Sequence, residues 1–210
     1  MKLIGMLDSP YVRRVAISLQ LLGLRFEHQP LSVFSAFPQF QQINPVVKAP
    51  TLVCDDGEVL MDSSLILEYA EALARPRSLI PATLPEHQHM LRIVGLALAA
   101  CEKSVQIIYE HRLRPPEKLH EPWVARVTGQ LLAAFGAIEK ELASRPLATD
   151  SGAINQAGVS TAVAWRFAQQ MLPEAVPSSR YPLLAALSSS AEALPEFQAA
   201  PHGDGICQSG

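Results

Sequence analysis

Between Asp8 and Val15 the chain reads Asp8-Ser9-Pro10-Tyr11-Val12-Arg13-Arg14-Val15. Cysteines at both ends of the tetrapeptide 9–12 would make a thiol–disulfide site of the CxxC kind. A serine and a valine stand in those two places. A serine hydroxyl is a weak nucleophile without a neighbouring base. No His or Lys lies close to Ser9 in sequence, and the chain has no GxSxG elbow. Ser9 and Pro10 suit the N-cap and first position of a helix. There the hydroxyl can donate a hydrogen bond to an anion that backbone N–H groups and the helix dipole also favour. Plain capping would use the same residues.

A second pair with chemical content is Asp62-Ser63. A carboxylate and a hydroxyl at a helix N-terminus can hold the ammonium and carboxylate ends of an amino acid, with the Ser63 N–H as a further donor. Capping of a helix over 64–74 by Ser63 or Ser64 accounts for the residues equally well. The histidines offer less. His87 and His89 are two apart and face different sides of a helix, so they make no metal pair. His111 and His120 straddle a loop without carboxylates at ligand spacing, and His111-Arg112-Leu113-Arg114 reads as a solvated helix end. No metal is expected.

The elements that must carry these residues follow from patterning. Residues 2–7 read as a short buried strand. Val12, Val15, Leu19 and Leu22 then make one helical face, which Gly23 ends. Residues 25–31 read as a second strand, and the stretch to Pro45, with Phe34, Phe37 and Phe40, as loop with a short helix. Thr51–Cys54 and Glu58–Met61 flank Asp55-Asp56-Gly57, a hairpin signal. A helix with Leu65, Ile66, Tyr69, Ala70 and Leu73 facing inward follows. The order βαβ, then ββα, gives a small α/β sheet domain over residues 1–76. Residues 77–86 read as a linker. From 87 to 210 the pattern is all-helical, with stripes at Leu91, Val94, Leu98, Cys101, Val105 and Ile108, then at Val124, Val127, Leu131, Ala134 and Ile138. A third helix is expected from about Asn155 to Met171, with shorter ones after Pro182 and Ser190 and a loose tail from Pro201.

Composition sets the class. The 210 residues are 49% apolar and 18% charged, with a net charge of −3. That balance fits a globular core and gives no field to attract a polyanion, so no nucleic-acid partner is expected. Three separated cysteines, Cys54, Cys101 and Cys207, fit a reducing compartment. No signal-peptide pattern or span of membrane length appears, which predicts a cytoplasmic protein without a membrane partner.

With these motifs in this order, the chain resembles the cytosolic glutathione transferases, in particular bacterial serine-type members with a tau- or theta-like N-terminal motif. Four stretches carry the resemblance: residues 8–15; Asn44-Pro45 followed by Lys48-Ala49-Pro50; Met61-Asp62-Ser63-Ser64; and the late helix start Ile154-Asn155-Gln156-Ala157-Gly158. It implies a thioredoxin-like βαβ-ββα domain followed by an all-helical C-terminal domain. It also implies glutathione as co-substrate, its thiolate held by Ser9. Phe34, Lys48, Ala49, Pro50, Asp62 and Ser63 would bind glutathione, the Ala49–Pro50 bond being cis. Leu7, Tyr11, Ile107 and Trp165, with Phe34, would line an apolar pocket for the electrophile. A homodimer is implied too, with the stripes of the two long helices as its apolar surface.

The sequence departs from the pattern in three places. Asp62 is one methylene shorter than the commoner Glu. The 32–37 loop has no Lys or Arg for the glycyl carboxylate, for which Lys48 could serve. Gly158 cannot return the capping bond that Asn155 makes, and it costs about 0.5–1 kcal/mol relative to alanine. The alternatives are a glutathione-dependent isomerase or dehalogenase, disfavoured by the missing cysteine beside Ser9, and a non-catalytic scaffold of the same fold.

Overall fold

The computed structural model describes residues 1–208. The chain forms two compact units, one made of Met1–Pro81 with Glu192–Gly210, the other of Ala82–Ala191. The first unit contains β1 (Lys2–Ile4), α1 (Pro10–Leu21), β2 (Glu27–Gln29), α2 (Phe37–Ile43), β3 (Thr51–Val53), β4 (Val59–Met61) and α3 (Ser63–Ala74). The sheet order is β2-β1-β3-β4, with β2 parallel to β1 and the other pairs antiparallel. This is the expected crossover plus hairpin.

Helix α1 begins at Ser9 and Pro10, as their types require. It ends in a Schellman turn: Gly23 takes φ 71°, its N–H bonds to Gln20 O at 2.9 Å, and Leu24 N–H bonds to Leu19 O at 2.9 Å. Val12, Val15, Ala16 and Leu19 are wholly buried, together with Leu3, Ile4 and Leu52 of the sheet and Ile66 of α3.

The second unit holds α4 (Leu84–Arg112), α5 (Glu121–Ser144), α6 (Gln156–Met171) and nearly all of α7 (Pro182–Glu192). Helix α4 starts inside the expected linker, because Pro85 lies in its first turn, where the missing N–H is needed by no carbonyl. Its apolar stripe packs on α5 and α6 of the same chain. Within the stripe Val94, Cys101 and Ile108 are buried, while Leu98 and Val105 are half-buried and Leu91 is 55% exposed. Asn155 caps α6 through Oδ1, accepting from Ala157 N at 3.0 Å and Gly158 N at 3.2 Å. The glycine is explained by packing, since a Cβ at 158 would lie 2.8 Å from Ile154 Cγ1. No described helix is long and apolar enough to cross a membrane.

The C-terminal segment departs most from expectation. Patterning places it in the helical domain with a loose end, yet from Glu192 it belongs to the first unit, where α8 (Pro195–Gln198) packs on α1. Arg13, only 1% exposed, makes a two-pronged ion pair with Glu192 at 2.6 and 2.7 Å. Its Nε donates to Ala200 O at 2.7 Å. Further along, Gln20 Nε2 donates to Glu196 O at 3.1 Å and to Cys207 Sγ at 3.3 Å. The Cys207 N–H donates to His28 Nδ1 at 2.9 Å. A charged residue buried in α1 and a carbonyl-rich partner segment explain why the tail is held: sequence patterning sees neither.

His28 gives this tail a pH dependence. Its Nε2 bonds to Gly5 O at 2.8 Å; a carbonyl only accepts, so Nε2 carries the proton and Nδ1 is the acceptor for Cys207. Burial pushes the imidazole below the ordinary 6.5, with the Gly5 bond opposing. The unfolded chain therefore takes up this proton first as pH falls. Stability is full above about 6.5 and declines below it until the folded imidazole titrates. Melting temperature measured from pH 8 to 5 should fall below about 6.5 in the wild type, and more gently in His28→Gln. Equal slopes in both proteins would place the titration elsewhere.

Candidate functional site

The sheet register gathers the predicted residues. Ile4, the last residue of β1, pairs with Gln29, the last of β2, and with Thr51, the first of β3. Thr51 in turn pairs with Met61, the last of β4. The chain leaving β1 toward Ser9, the chain leaving β2 toward Phe34, the chain entering β3 through Ala49-Pro50 and the chain leaving β4 into Asp62-Ser63 thus share one end of the sheet. Gly5 allows the close approach there. Its φ is 138°, and a Cβ would meet Val12 Cγ2 at 2.6 Å and Ala49 Cβ at 3.1 Å.

Ser9 is the N-cap of α1. Its Oγ accepts from Val12 N–H at a long 3.4 Å, which leaves the hydroxyl proton as a donor. Capping and donation to an anion are therefore compatible functions of one side chain.

The Ala49–Pro50 bond is cis. Asn44 fixes the loop that leads into it. Buried at its side chain, Asn44 donates to Thr51 Oγ1 at 2.9 Å and accepts from Val46 N at 3.0 Å. Thr51 Oγ1 donates to Lys48 O at 2.7 Å.

Asp62 caps α3, its Oδ1 accepting from Ser64 N at 2.9 Å. Lys48 Nζ donates to Asp62 Oδ2 at 3.3 Å. Burial works to raise the Asp62 carboxyl, but the Ser64 N–H bond and the Lys48 ammonium outweigh it and hold the group below its ordinary value. It is a carboxylate at neutral pH, and its Oδ2 already meets one cation, the exposed Lys48 ammonium. Ser63 is buried, and its Oγ accepts from Arg14 Nη1 at 3.0 Å, while Ser64 Oγ accepts at 3.3 Å.

Among the described residues, Val47 at φ 52° and Asp62 at φ 73° are the two non-glycine residues with positive φ. Both flank this end of the sheet. Such conformations cost about 1–3 kcal/mol each and persist where the surroundings over-determine them, often at ligand sites.

The residues expected to line an electrophile pocket are placed differently from one another. Leu7 is fully buried in the first unit. Ile107 and Trp165 are buried in the second, and the Trp165 ring stands edge-on to Phe135 at 5.3 Å and to Tyr181 at 5.7 Å. These three are core side chains within their own units. Tyr11, in the first turn of α1, is half-buried, and Phe34 is 58% exposed. Sequence reasoning named Arg14 and Asn44 within motifs but gave them no part in the site, and it missed the strained Val47. A charge standing within the apolar run of α1 was the one signal for Arg14.

Comparison with known proteins agrees with this geometry. Residues 3–78 match the family model for the glutathione S-transferase N-terminal domain. The GST-like protein YibF of Escherichia coli strain K12 is 29% identical over 164 residues, covering 78% of this chain and 80% of the relative. A zeta-class glutathione S-transferase of Euphorbia esula is 29% identical over 199 residues, 88% of this chain and 82% of the relative. The crystal structure of a glutathione transferase family member from Pseudomonas fluorescens Pf-5 with bound glutathione superposes with a TM-score of 0.82 at 28% identity, covering 96% of this chain and 98% of that one. The N-terminal domain is thus similar to that of the glutathione S-transferases, and the full chain shares its fold with a glutathione transferase family member.

Proposed function

We propose that this protein is a glutathione transferase of serine type, which holds glutathione at the end of the sheet and presents its thiol as thiolate to a hydrophobic electrophile. The observation that carries the reading is the convergence of Ser9, the cis Ala49–Pro50 bond and Asp62-Ser63 at that one end. Ser9 donates to the sulfur at the N-terminus of α1. The backbone of Ala49 takes the cysteinyl peptide group, and Lys48 meets the glycyl carboxylate. Asp62 and Ser63 receive the γ-glutamyl ammonium and carboxylate, and Phe34 covers the tripeptide. Tyr11 has surface left for the electrophile, with Leu7, Ile107 and Trp165 supporting the walls of their units. Proximity of the two reactants then carries the rate without a covalent enzyme intermediate.

The energies are of the right size. Lowering a thiol pKa by about two units takes roughly 2.7 kcal/mol. A charge-assisted hydrogen bond contributes about 1.5–3 kcal/mol and the helix terminus about 0.3–1 kcal/mol. The protein acts in the cytoplasm as a homodimer. Exposed Val46, Val59 and Met61, with β4 at the sheet edge and with Leu65, which faces outward and not inward as its spacing suggested, supply the apolar surface for the two-fold contact. A second reading, a glutathione-dependent isomerase using the same thiolate, draws on the likeness to a maleylacetoacetate isomerase of Pseudomonas aeruginosa, 26% identical over 142 residues.

Calorimetric titration with glutathione tests the reading. Asp62→Asn keeps an oxygen for the Ser64 cap and tolerates the positive φ, but it removes the charge. It should weaken glutathione binding about tenfold, with the melting temperature nearly unchanged. Sedimentation of the same samples reports the dimer. A wild-type protein that does not bind glutathione would instead be a scaffold of this fold.

A further inference from the structure

The C-terminal segment is fastened to the sheet domain on both sides of the turn that carries Ser9. On one side Arg13, whose own N–H bonds to Ser9 O at 3.0 Å, donates from Nε to Ala200 O at 2.7 Å. On the other, the Cys207 N–H donates at 2.9 Å to Nδ1 of His28, an imidazole only 6% exposed. His28 Nε2 in turn holds Gly5 O at 2.8 Å. Gly5 is wedged between Val12 of α1 and Ala49 of the cis-proline loop. From Gly5 the chain runs through Met6 to Ser9, whose N–H bonds to Met6 O at 3.2 Å. Charges of the segment also reach the residue before Ser9: desolvation raises the Asp8 carboxyl, His202 lowers it and Asp204 raises it.

The Cys207 bond has a chemical consequence. A neutral imidazole donates from one nitrogen and accepts at the other. With an N–H aimed at Nδ1, the proton stands on Nε2, where Gly5 O accepts it. Without that N–H the buried Nδ1 has lost its donor, and the other tautomer turns the Nε2 lone pair against the Gly5 oxygen. Plain packing of the segment would require apolar contacts and no particular tautomer. We infer that the C-terminal segment braces the Ser9 turn, with His28 as the positioning residue through which it acts: the Cys207 N–H fixes the imidazole tautomer, and that tautomer holds the Gly5 carbonyl. The inference rests on the glutathione reading and deepens it, since it assigns the placing of the thiol-binding hydroxyl to residues that do not touch the ligand.

The test compares wild type, His28→Leu, His28→Gln and Cys207→Pro, each as the full chain. Cys207→Pro deletes the N–H itself. Glutathione affinity is read by calorimetry, the bound thiol by its ultraviolet titration, turnover with a chromogenic electrophile, and folding by thermal melting. His28→Leu and Cys207→Pro should move the bound thiol's midpoint up toward that of free glutathione and lower kcat about tenfold, because a small misplacement of a catalytic group is costly. Glutathione affinity should change less than about threefold, since Asp62, Ser63 and Ala49 still hold the tripeptide. His28→Gln, whose amide can donate to Gly5 O and accept from the Cys207 N–H, should recover most of both losses. Should Cys207→Pro fold poorly, His28→Leu against His28→Gln still decides. Variants that melt lower yet titrate the bound thiol as wild type does would overturn the inference alone, making the segment a structural tie. A midpoint shift that His28→Gln fails to rescue would overturn it too. If wild type binds no glutathione, or binds it without lowering its thiol, the glutathione reading fails and takes this one with it.

Discussion

Arg13→Met is expected to cost about 3–5 kcal/mol of stability, because it strips the partner from Glu192 and the donor from Ala200 O in a buried network. For a chain of this size that corresponds to a fall in melting temperature of roughly 10 °C or more. The loss should begin at the C-terminal segment. Hydrogen exchange at Cys207 and Gln208, whose N–H groups bond to His28 Nδ1 and Ala199 O at 2.9 and 2.8 Å, should accelerate before that of α1. Glu192 is three-quarters covered, so Glu192→Gln, which keeps the hydrogen bonds and loses the charge, should cost less. A variant as stable as wild type would mean that the segment is held by apolar contacts such as Phe197 alone.

The second large effect concerns rate. Ser9→Ala should lower turnover with a chromogenic electrophile about 10- to 100-fold near neutral pH, since the bound thiol would return toward the ordinary value near 8.5. Folding should change little. The cap bond it removes is long, 3.4 Å, and a full serine cap is worth only about 1 kcal/mol. Stopped-flow turnover together with a thermal melt separates the two functions of this side chain. A sharp drop in melting temperature with unchanged turnover would make Ser9 a cap and nothing more.

Much of the sheet domain was legible in the sequence because its punctuation is local. Ser9-Pro10, Gly23 and Asp55-Asp56-Gly57 each fix a boundary by their own backbone preferences, as Asn155 does in the helical unit. The gathering of the candidate residues follows from register: Pro50 and Asp62 adjoin strand ends, Ser9 stands in the connection from β1 to α1, and the strand pairing brings these positions to one end of the sheet. The rest depends on partners far apart in the chain. Arg13 and Glu192 are 179 positions apart, as are His28 and Cys207, and no periodicity announces either pair. The apolar stripe of α4 was visible, but a stripe does not say what covers it: α4 packs on α5 and α6, yet Leu91 stays exposed. Trp165 carries no mark that distinguishes a cleft wall from a core ring, and its place between Phe135 and Tyr181 comes from packing alone.

The central claim is that this protein activates a thiol it does not itself supply. The most direct measurement is the ultraviolet thiolate absorbance of glutathione bound to the wild-type protein, followed as pH is raised from 5 to 9. The account predicts that the bound thiol titrates about two units below the free one, with its midpoint near 6.5. Glutathione that binds tightly yet titrates as it does in solution would contradict it, and would make the protein a carrier of glutathione.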